Sequence, residues 1–124
     1  MIESTAEAGT TRVTFANGAV TAVADTLKEK GGSESAFRPH ELLEAALATC
    51  MTISLEVYAR QQDLPLERAT ARVRLDRSQP GEAALHCEIQ LDGPLSAEQR
   101  EKLLAVARSC PVRQTLGRRL TFQG

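Results

Sequence analysis

Glu41-Leu-Leu-Glu-Ala-Ala-Leu-Ala-Thr-Cys-Met-Thr-Ile-Ser-Leu-Glu-Val-Tyr-Ala59 is the most apolar segment of this chain. Pro39, just before it, suits the first turn of a helix because its N–H group would have no partner there. Glu41 and Glu44 place negative charge near the positive end of the helix dipole. The pattern therefore predicts a helix over residues 39–62.

The apolar side chains of this helix fall on two stripes at three-to-four spacing. One stripe holds Leu43, Leu47, Cys50, Ser54 and Tyr58, and the other holds Leu42, Ala46, Thr49, Ile53 and Val57. A helix that is apolar on two stripes must be covered on most sides. We therefore expect a long, buried, central helix.

Composition limits the classes of function and partner. The chain has 124 residues and a formal net charge of -1, which fits one domain over residues 1–124 and offers no basic surface to a nucleic acid. Three cysteines, without a charged-then-apolar leader, argue against a secreted disulfide framework and predict a cytoplasmic protein. Glu44 and Glu56 interrupt the apolar segment, which predicts a buried helix and no membrane span.

The residues before the helix predict a β-hairpin and a loop. Two β-prone segments, 10–15 and 19–24, flank Asn17-Gly18, and an Asn-Gly pair in this position is the strongest local hairpin signal. Residues 1–9 are predicted to be a disordered tail. Residues 28–35, with a Gly-Gly pair and two serines, are predicted to be a mobile loop that borders a site.

The residues after the helix predict a second strand pair and further helices. Segments 68–76 and 83–92 alternate apolar and polar side chains, as is typical of an antiparallel pair with one wet face. Three more elements follow: a helix over 97–109 with a capping box of Ser96 and Gln99, a short helix over 111–116 with Cys110 at its N-cap, and a strand over 120–123. This order indicates an α+β fold in which a curved antiparallel sheet backs the long helix.

Cys50 and Cys110 are the candidate reactive groups, and their local surroundings differ. Cys110 at a helix start faces free backbone N–H groups that favour a thiolate, and Arg108 and Arg113 lie close in sequence. Cys50 has only apolar or hydroxyl-bearing neighbours on its helix, so it needs a cation from elsewhere in the fold to act as a nucleophile. Because free cysteines are often simply buried, packing and function stay equally open for Cys50, whereas Cys87 on its predicted strand is expected to be a small core residue.

Metal and nucleotide sites are not indicated. His40 and Cys50 lie about 15 Å apart along a helix, and the sequence has no Cys-x-x-Cys or His-x-x-x-His pair. It also lacks a glycine-rich phosphate loop and a Gly-x-Ser-x-Gly elbow. We therefore expect no metal and no cofactor.

Four segments occur together in order: Arg38-Pro-His-Glu-Leu-Leu-Glu-Ala-Ala-Leu-Ala-Thr-Cys50, Leu55-Glu-Val-Tyr-Ala-Arg-Gln-Gln-Asp-Leu-Pro-Leu66, Gly93-Pro-Leu-Ser96 and Ser109-Cys-Pro-Val-Arg-Gln-Thr-Leu116. In this order they resemble the OsmC/Ohr family of thiol peroxidases, and most closely its short OsmC-like branch. The resemblance covers nearly the whole chain. It implies an OsmC-like α+β fold and an intertwined homodimer with active sites at the subunit interface.

The resemblance also implies roles for the two cysteines. Cys50 matches the peroxidatic cysteine of the family, and Cys110 matches the resolving cysteine. The Cys50 thiolate would attack a peroxide oxygen and become a sulfenic acid, which would condense with Cys110 to a disulfide that an external dithiol reduces. The implied function is thiol-dependent reduction of organic hydroperoxides.

Three further catalytic residues follow from the resemblance. The family's N-terminal arginine is best matched by Arg12, which would supply the cation that the peroxidatic cysteine lacks, with Arg38 and Lys28 as alternatives. The family's catalytic glutamate is replaced by His40, and Glu41 lies about 100° further around the helix. A histidine cannot orient an arginine as a carboxylate does. The alternative functions are therefore an OsmC-like redox sensor or small-ligand binding protein with weak or no peroxidase turnover, and, less favoured, a cysteine nucleophile for acyl substrates.

Overall fold

The computed structural model describes residues 1–124, and their packing divides the chain into two compact units, Met1–Leu43 and Glu44–Gly124. Each unit contains an antiparallel sheet, and the long helix α1, Pro39–Gln61, starts in the first unit and continues in the second. The predicted α+β class is confirmed. The strands form a three-stranded and a two-stranded sheet, whereas the sequence predicted one curved sheet. The single-domain organisation stays a prediction.

The first unit is built on the three-stranded sheet. Its strands are β1 (Glu3–Ala6), β2 (Val13–Ala16) and β3 (Thr21–Ala24), with β2 in the middle. The turn between β2 and β3 is held by Asn17, whose side-chain oxygen accepts from the N–H groups of Ala19 and Val20 at 2.9 and 2.8 Å. Gly18 takes a φ of 96°, which a side chain would disfavour. The predicted hairpin is confirmed.

Strand β1 lies within the segment predicted to be a disordered tail, residues 1–9. It pairs with β2 from Glu3 opposite Ala16 to Ala6 opposite Val13, and all its residues are exposed. A strand held through its backbone carries no apolar alternation, so the sequence pattern gives no sign of it. The ordered part of the chain therefore begins earlier than expected.

The loop after β3 is organised by Asp25, the one buried charged residue of the chain, 5% exposed. Its carboxylate accepts hydrogen bonds from the Thr11 hydroxyl at 2.6 Å and the Thr26 N–H at 2.7 Å. The N–H and hydroxyl of Ser33 donate to its other oxygen at 3.1 and 3.0 Å. The Thr11 hydroxyl and the Thr26 N–H are the main reasons why the pKa of Asp25 is lowered to about 2.

Residues 28–35, predicted to be a mobile loop, follow a defined path. They contain a 3₁₀ turn at Lys28–Lys30, which ends at Gly31 with a left-handed φ of 91°. A Cβ on Gly32 would collide with the backbone oxygen of Thr26. The Gly-Gly pair therefore allows a tight turn and a close backbone approach, which is a different use of glycine from the mobility that we expected.

The second unit packs α1 with the two-stranded sheet and two further helices. The sheet pairs β4 (Arg68–Asp76) with β5 (Ala84–Asp92), and the helices are α2 (Ala97–Arg108) and α3 (Pro111–Leu116). Four residues of α1 are buried: Leu47, Met51, Leu55 and Ala59. They form the core together with Leu91, Leu103, Ala107 and Cys110. The buried stripe therefore takes every fourth residue of α1, and it matches neither predicted stripe in full.

The other side of α1 is open. Leu43, Ile53 and Val57 are 46%, 62% and 47% exposed, although all three are large and apolar. The prediction of a helix covered on most sides is therefore not met within one chain. By length and composition α1 could also cross a bilayer, but a single such helix is weak evidence because a core helix passes the same test.

A capping box begins α2. The Ser96 hydroxyl accepts from the Gln99 N–H at 3.1 Å, and the Gln99 side-chain oxygen accepts from the Ser96 N–H at 2.9 Å, as predicted. The Arg100 guanidinium donates to the carbonyl oxygens of Leu91 and Gly93 at 2.8 and 3.0 Å. The first turn of α2 is thereby held at the end of β5.

The strand predicted over residues 120–123 does not form. Leu120 and Phe122 are 60% and 97% exposed, and the segment belongs to no sheet. Apolar alternation suggested a strand, but a strand also needs the N–H and C=O groups of a neighbour. Without such a neighbour, the end of the chain is irregular.

Candidate active site

Helix α1 and the junction of α2 with α3 bring Cys50 and Cys110 to the core of the second unit. Cys50 is half-buried beside the core stripe of α1, and Cys110 is 1% exposed. Pro111 cannot continue α2 and begins α3, and Cys110 takes an extended φ, ψ of -61°, 148° at the N-cap. The predicted N-cap position of Cys110 is confirmed, and both thiols are free.

The two thiols are neighbours. Cys50 lies close enough to Cys110 to raise the pKa of the Cys110 thiol. The backbone N–H of Val112, two residues after Cys110, donates to Cys50 Sγ at 3.5 Å. Both cysteines also pack in the same apolar cluster. The structure therefore brings together the two residues that the family resemblance paired.

Burial governs the protonation of Cys110. Burial raises the pKa of its thiol and the neighbouring Cys50 raises it further, whereas the backbone N–H and the guanidinium of Arg113 act in the opposite direction. The expectation that the start of α3 would favour a Cys110 thiolate is therefore wrong, because removal of the sulfur from water has the larger effect. Cys110 keeps its proton at neutral pH.

Cys50 receives from α3 the polar contact that its own helix does not offer. The Val112 N–H can stabilise negative charge on Cys50 Sγ. Sequence reasoning assigned the free amides at the start of α3 to Cys110 and missed this donor. A backbone N–H carries no residue identity, so only the three-dimensional packing of α3 beside α1 reveals it.

Arg113 lines two small cavities of the second unit together with Cys87. One cavity, of about 240 Å³, also borders Met51 and Arg108, and the other, of about 190 Å³, borders Leu47. Cys87 was expected to be a small core residue, but it is exposed. It lies on β5 and lines both cavities, and its thiol donates to the Leu85 carbonyl oxygen at 3.7 Å.

A groove of about 570 Å³ in the first unit holds two other predicted site residues, Arg12 and Glu41. Arg12 pairs with Glu7 at 3.4 Å through Nε and donates from Nη1 to the Ser35 hydroxyl at 3.2 Å. Glu41 accepts from Nε of Arg38 at 3.0 Å and from its backbone N–H at 3.2 Å. Two guanidinium groups thus reach one groove, each already held by a carboxylate or hydroxyl oxygen.

His40 lies apart from this groove. It is exposed on the first turn of α1 and is not among the lining residues, and the same holds for Lys28 in the 3₁₀ turn. Arg38 does line the groove and so remains an alternative to Arg12. The catalytic roles of Arg12, His40 and Glu41 stay predictions.

The arrangement of the second unit supports thiol chemistry. A half-buried thiol that accepts an N–H hydrogen bond stands beside a second, fully buried thiol. Such a pair can form a sulfenic acid and then a disulfide, or exchange with an external thiol. No group of three or more His, Cys, Asp or Glu side chains is placed to hold a metal ion.

Comparison with known proteins places this arrangement in a wider context. Residues 31–123 match a family model described as OsmC-like protein, and comparison with curated proteins finds no match. The structure is similar to an OsmC-like protein from Mycoplasma pneumoniae, with 18% identity and a TM-score of 0.76, over 94% of this chain and 85% of that one.

Two further solved structures show the same likeness. The organic hydroperoxide resistance protein OsmC from Legionella pneumophila is 23% identical with a TM-score of 0.64, over 94% of this chain and 88% of that one. A Vibrio cholerae protein, proposed to be an organic hydroperoxide resistance protein and crystallised with captopril in one of its active sites, is 27% identical with a TM-score of 0.64. That match covers 94% of this chain and 84% of the other. The likeness therefore extends over nearly the whole chain.

Proposed function

Because this chain belongs to the OsmC-like family, we propose that it is a thiol-dependent peroxidase that reduces organic hydroperoxides through Cys50 and Cys110. The OsmC-like fold predicted from the sequence is confirmed by the shared fold of the solved relatives. One observation carries the proposal: two free thiols, one half-buried and one fully buried, pack in the same apolar cluster, and the N–H of Val112, two residues after Cys110, donates to Cys50 Sγ. The Vibrio cholerae relative, at 27% identity, supports organic hydroperoxides as the substrate class.

The proposed cycle has three steps. The Cys50 thiolate attacks one peroxide oxygen, the O–O bond breaks, and the leaving alkoxide takes a proton to become an alcohol, which leaves a sulfenic acid on Cys50. The Cys110 sulfur then attacks Cys50 Sγ, so that a disulfide forms and the hydroxide leaves with the Cys110 proton as water. An external dithiol finally reduces this disulfide to two thiols and is itself oxidised to a disulfide.

The difference in burial supports this order of the two thiols. A hydroperoxide cannot reach the Cys110 sulfur, which is 1% exposed, unless the core opens, whereas Cys50 is half-buried. The Val112 N–H favours negative charge on Cys50, while burial raises the pKa of Cys110. Cys110 must lose its proton in the second step, and the nearby Arg113 charge favours that loss.

We further propose a homodimer in the cytoplasm. The open side of α1 presents a shallow cavity of about 280 Å³, lined by Thr52, Ile53, Glu56, Val57 and Arg60. Large apolar side chains exposed side by side mark a surface that another protein surface covers. A second copy of this chain would complete the burial of α1 that its two apolar stripes predict. A reducing compartment would supply the external dithiol.

Intact-mass measurement after addition of one equivalent of cumene hydroperoxide tests the peroxidase proposal. The cycle demands the loss of two hydrogen atoms and a tryptic peptide pair linked through Cys50 and Cys110. Cys110→Ser should stop at a trappable Cys50 sulfenic acid, and Cys87→Ser, the matched control, should react like the unsubstituted protein. Thiols that stay reduced, or a crosslink through Cys87, would contradict the proposal.

A redox sensor or small-ligand binding protein is the second candidate. The observation that favours it is that His40, which the family resemblance aligns with the catalytic glutamate, is exposed and does not line the groove of the first unit. If turnover is weak for want of a carboxylate, His40→Glu should raise the rate of Cys50 oxidation sharply, and the neutral His40→Gln should not. Fast oxidation of the unsubstituted protein with no gain in His40→Glu would reject this candidate.

A further inference from the structure

A chain of hydrogen bonds joins buried Asp25 to Arg12 within the first unit. The Ser33 hydroxyl donates to Asp25 Oδ2 at 3.0 Å and lies 2.7 Å from the Ser35 hydroxyl, which accepts from Arg12 Nη1 at 3.2 Å. We propose that Asp25 is a positioning residue that holds the Arg12 guanidinium in its groove through Ser33 and Ser35. The proposal rests on the peroxidase function proposed above and on the sequence prediction that Arg12 is the cation that stabilises the Cys50 thiolate.

The hydrogen bonds that connect Arg12 to Asp25 all have the same donor-to-acceptor direction. A hydroxyl has a single proton, and Ser33 gives its proton to Asp25. At its contact with Ser35, the Ser33 oxygen can therefore only accept, so Ser35 donates there and its own oxygen accepts from Arg12. Every proton points toward the carboxylate and away from the guanidinium. Hydrogen bonds aligned in this way polarise and strengthen one another.

Asp25 also holds the residue next to Arg12. The Thr11 hydroxyl donates to Asp25 Oδ1 at 2.6 Å, and Thr11 directly precedes Arg12. One carboxylate oxygen thus holds the side chain of the residue that precedes Arg12. The other oxygen holds the far end of the Arg12 side chain through the two serines. Thr11 and the end of the Arg12 side chain are therefore placed by the same buried group.

The ion pair between Arg12 and Glu7 is a separate restraint on the same guanidinium. Its atoms are 3.4 Å apart, and the two side chains are 36% and 51% exposed. Exposed ion pairs contribute little and are screened by salt. Asp25, in contrast, is 5% exposed and is itself held by its neighbours. Asp25 is therefore the buried carboxylate that is available to fix Arg12.

Ser35→Ala tests the proposal, because it cuts the chain next to Arg12 and leaves the four hydrogen bonds to Asp25 intact. Ser35→Thr keeps the hydroxyl and should restore the unsubstituted behaviour, and Ser4→Ala, at another exposed serine of the first unit, is the matched control. The first readout is the NMR signal of the Arg12 Nη1–H group, which donates to Ser35, assigned by its absence in Arg12→Lys. We expect its hydrogen exchange to become faster in Ser35→Ala alone.

The second readout is the rate constant for Cys50 oxidation by cumene hydroperoxide. We expect this rate to fall about tenfold in Ser35→Ala, the usual effect of a lost hydrogen bond to a charged group. The KM for the hydroperoxide should stay unchanged, and Ser35→Thr should recover the rate. Asp25→Asn, if it folds, should lower the rate further, because an amide cannot accept from all four donors.

The outcomes separate this proposal from the peroxidase proposal. An unchanged Arg12 signal in Ser35→Ala overturns the positioning role, whatever the rates. A faster-exchanging Arg12 with an unchanged oxidation rate also overturns it, because the place of Arg12 would not matter to the reaction. If the unsubstituted protein does not react with the hydroperoxide, the peroxidase function fails, and the hold of Asp25 on Arg12 is then decided by the NMR signal alone.

Discussion

Each of the two units is stabilised internally by a different kind of interaction. In the first unit a buried carboxylate, Asp25, gathers hydroxyl and N–H donors, and Ala24 is its one fully buried apolar residue. In the second unit eight buried residues, all apolar side chains or thiols, form the core. The stability of a polar network depends on the protonation of its members, whereas the stability of an apolar core depends on how completely its volume is filled. The two units should therefore fail under different changes.

The largest expected effect is a cavity in the second unit. Leu55 is 0% exposed, and Leu55→Ala should lower the free energy of unfolding by about 2–5 kcal/mol. Urea unfolding followed by circular dichroism measures this loss. Leu120→Ala, at a residue that is 60% exposed, is the matched control and should change the free energy by less than about 0.5 kcal/mol. Equal losses in both variants would show that the core is not where the structure places it.

Acid should loosen the first unit next. The pKa of Asp25 is about 2, below the ordinary value of 3.8, so its stabilising contribution is complete above about pH 4 and is lost as the pH falls toward 2. The N–H chemical shifts of Thr26 and Ser33 should therefore move over this range, and Asp25→Asn should abolish the movement. Methyl signals of Leu103 report on the second unit and should stay still. If the Leu103 methyl signals moved together with the N–H signals of Thr26 and Ser33, the two units would not differ in their response to acid.

Alkali should weaken the second unit. Burial raises the pKa of Cys110, so its contribution to stability is present below the thiol's unfolded pKa of about 8.5 and is lost as the pH rises through the higher folded value. The Tm of the reduced protein should fall on this alkaline side. Cys110→Ala should flatten the fall, whereas Cys87→Ser, at the exposed thiol, should leave it unchanged. A fall that persists in Cys110→Ala would have another cause.

The smallest expected effect concerns the charge beside the thiols. Arg113 lowers the pKa of Cys110 against the effect of burial, so Arg113→Gln should slow formation of the Cys50–Cys110 disulfide about threefold. Quenched-flow mass analysis after one equivalent of hydroperoxide measures this rate. Arg113→Lys should keep most of it, and Arg108→Gln serves as the neighbouring control. Equal slowing in Arg108→Gln would point to general positive charge and away from Arg113.

Local sequence signals predicted most elements of the second unit and the hairpin of the first unit. The capping box of Ser96 and Gln99, the Pro111 that separates two helices, and the Asn17-Gly18 turn of the first unit all act within a few residues, so their patterns are visible in the sequence. The cysteine pair came from the family resemblance, and the structure packs both cysteines in one apolar cluster, with the Val112 N–H donating to Cys50 Sγ.

What could not be predicted depends on groups that are far apart in the chain or have no sequence identity. The donor to Cys50 is the backbone N–H of Val112, and β1 is held through its backbone. Asp25 draws its donors from Thr11 on one side and Ser33 on the other. Backbone pairing and long-range hydrogen bonds leave no periodic pattern in the sequence, so these contacts could not be predicted from it.

The packing of Cys50 and Cys110 in the same cluster also bears on heat resistance. A bond between these sulfurs would join α1 to the start of α3 and enclose β4, β5 and α2 in one covalent loop. Such a loop restricts the unfolded chain and would stabilise the fold by about 4 kcal/mol in the chain-entropy description. The oxidised protein would then melt at a higher temperature than the reduced one. The rise in melting temperature would therefore report exposure to peroxide without any measurement of turnover.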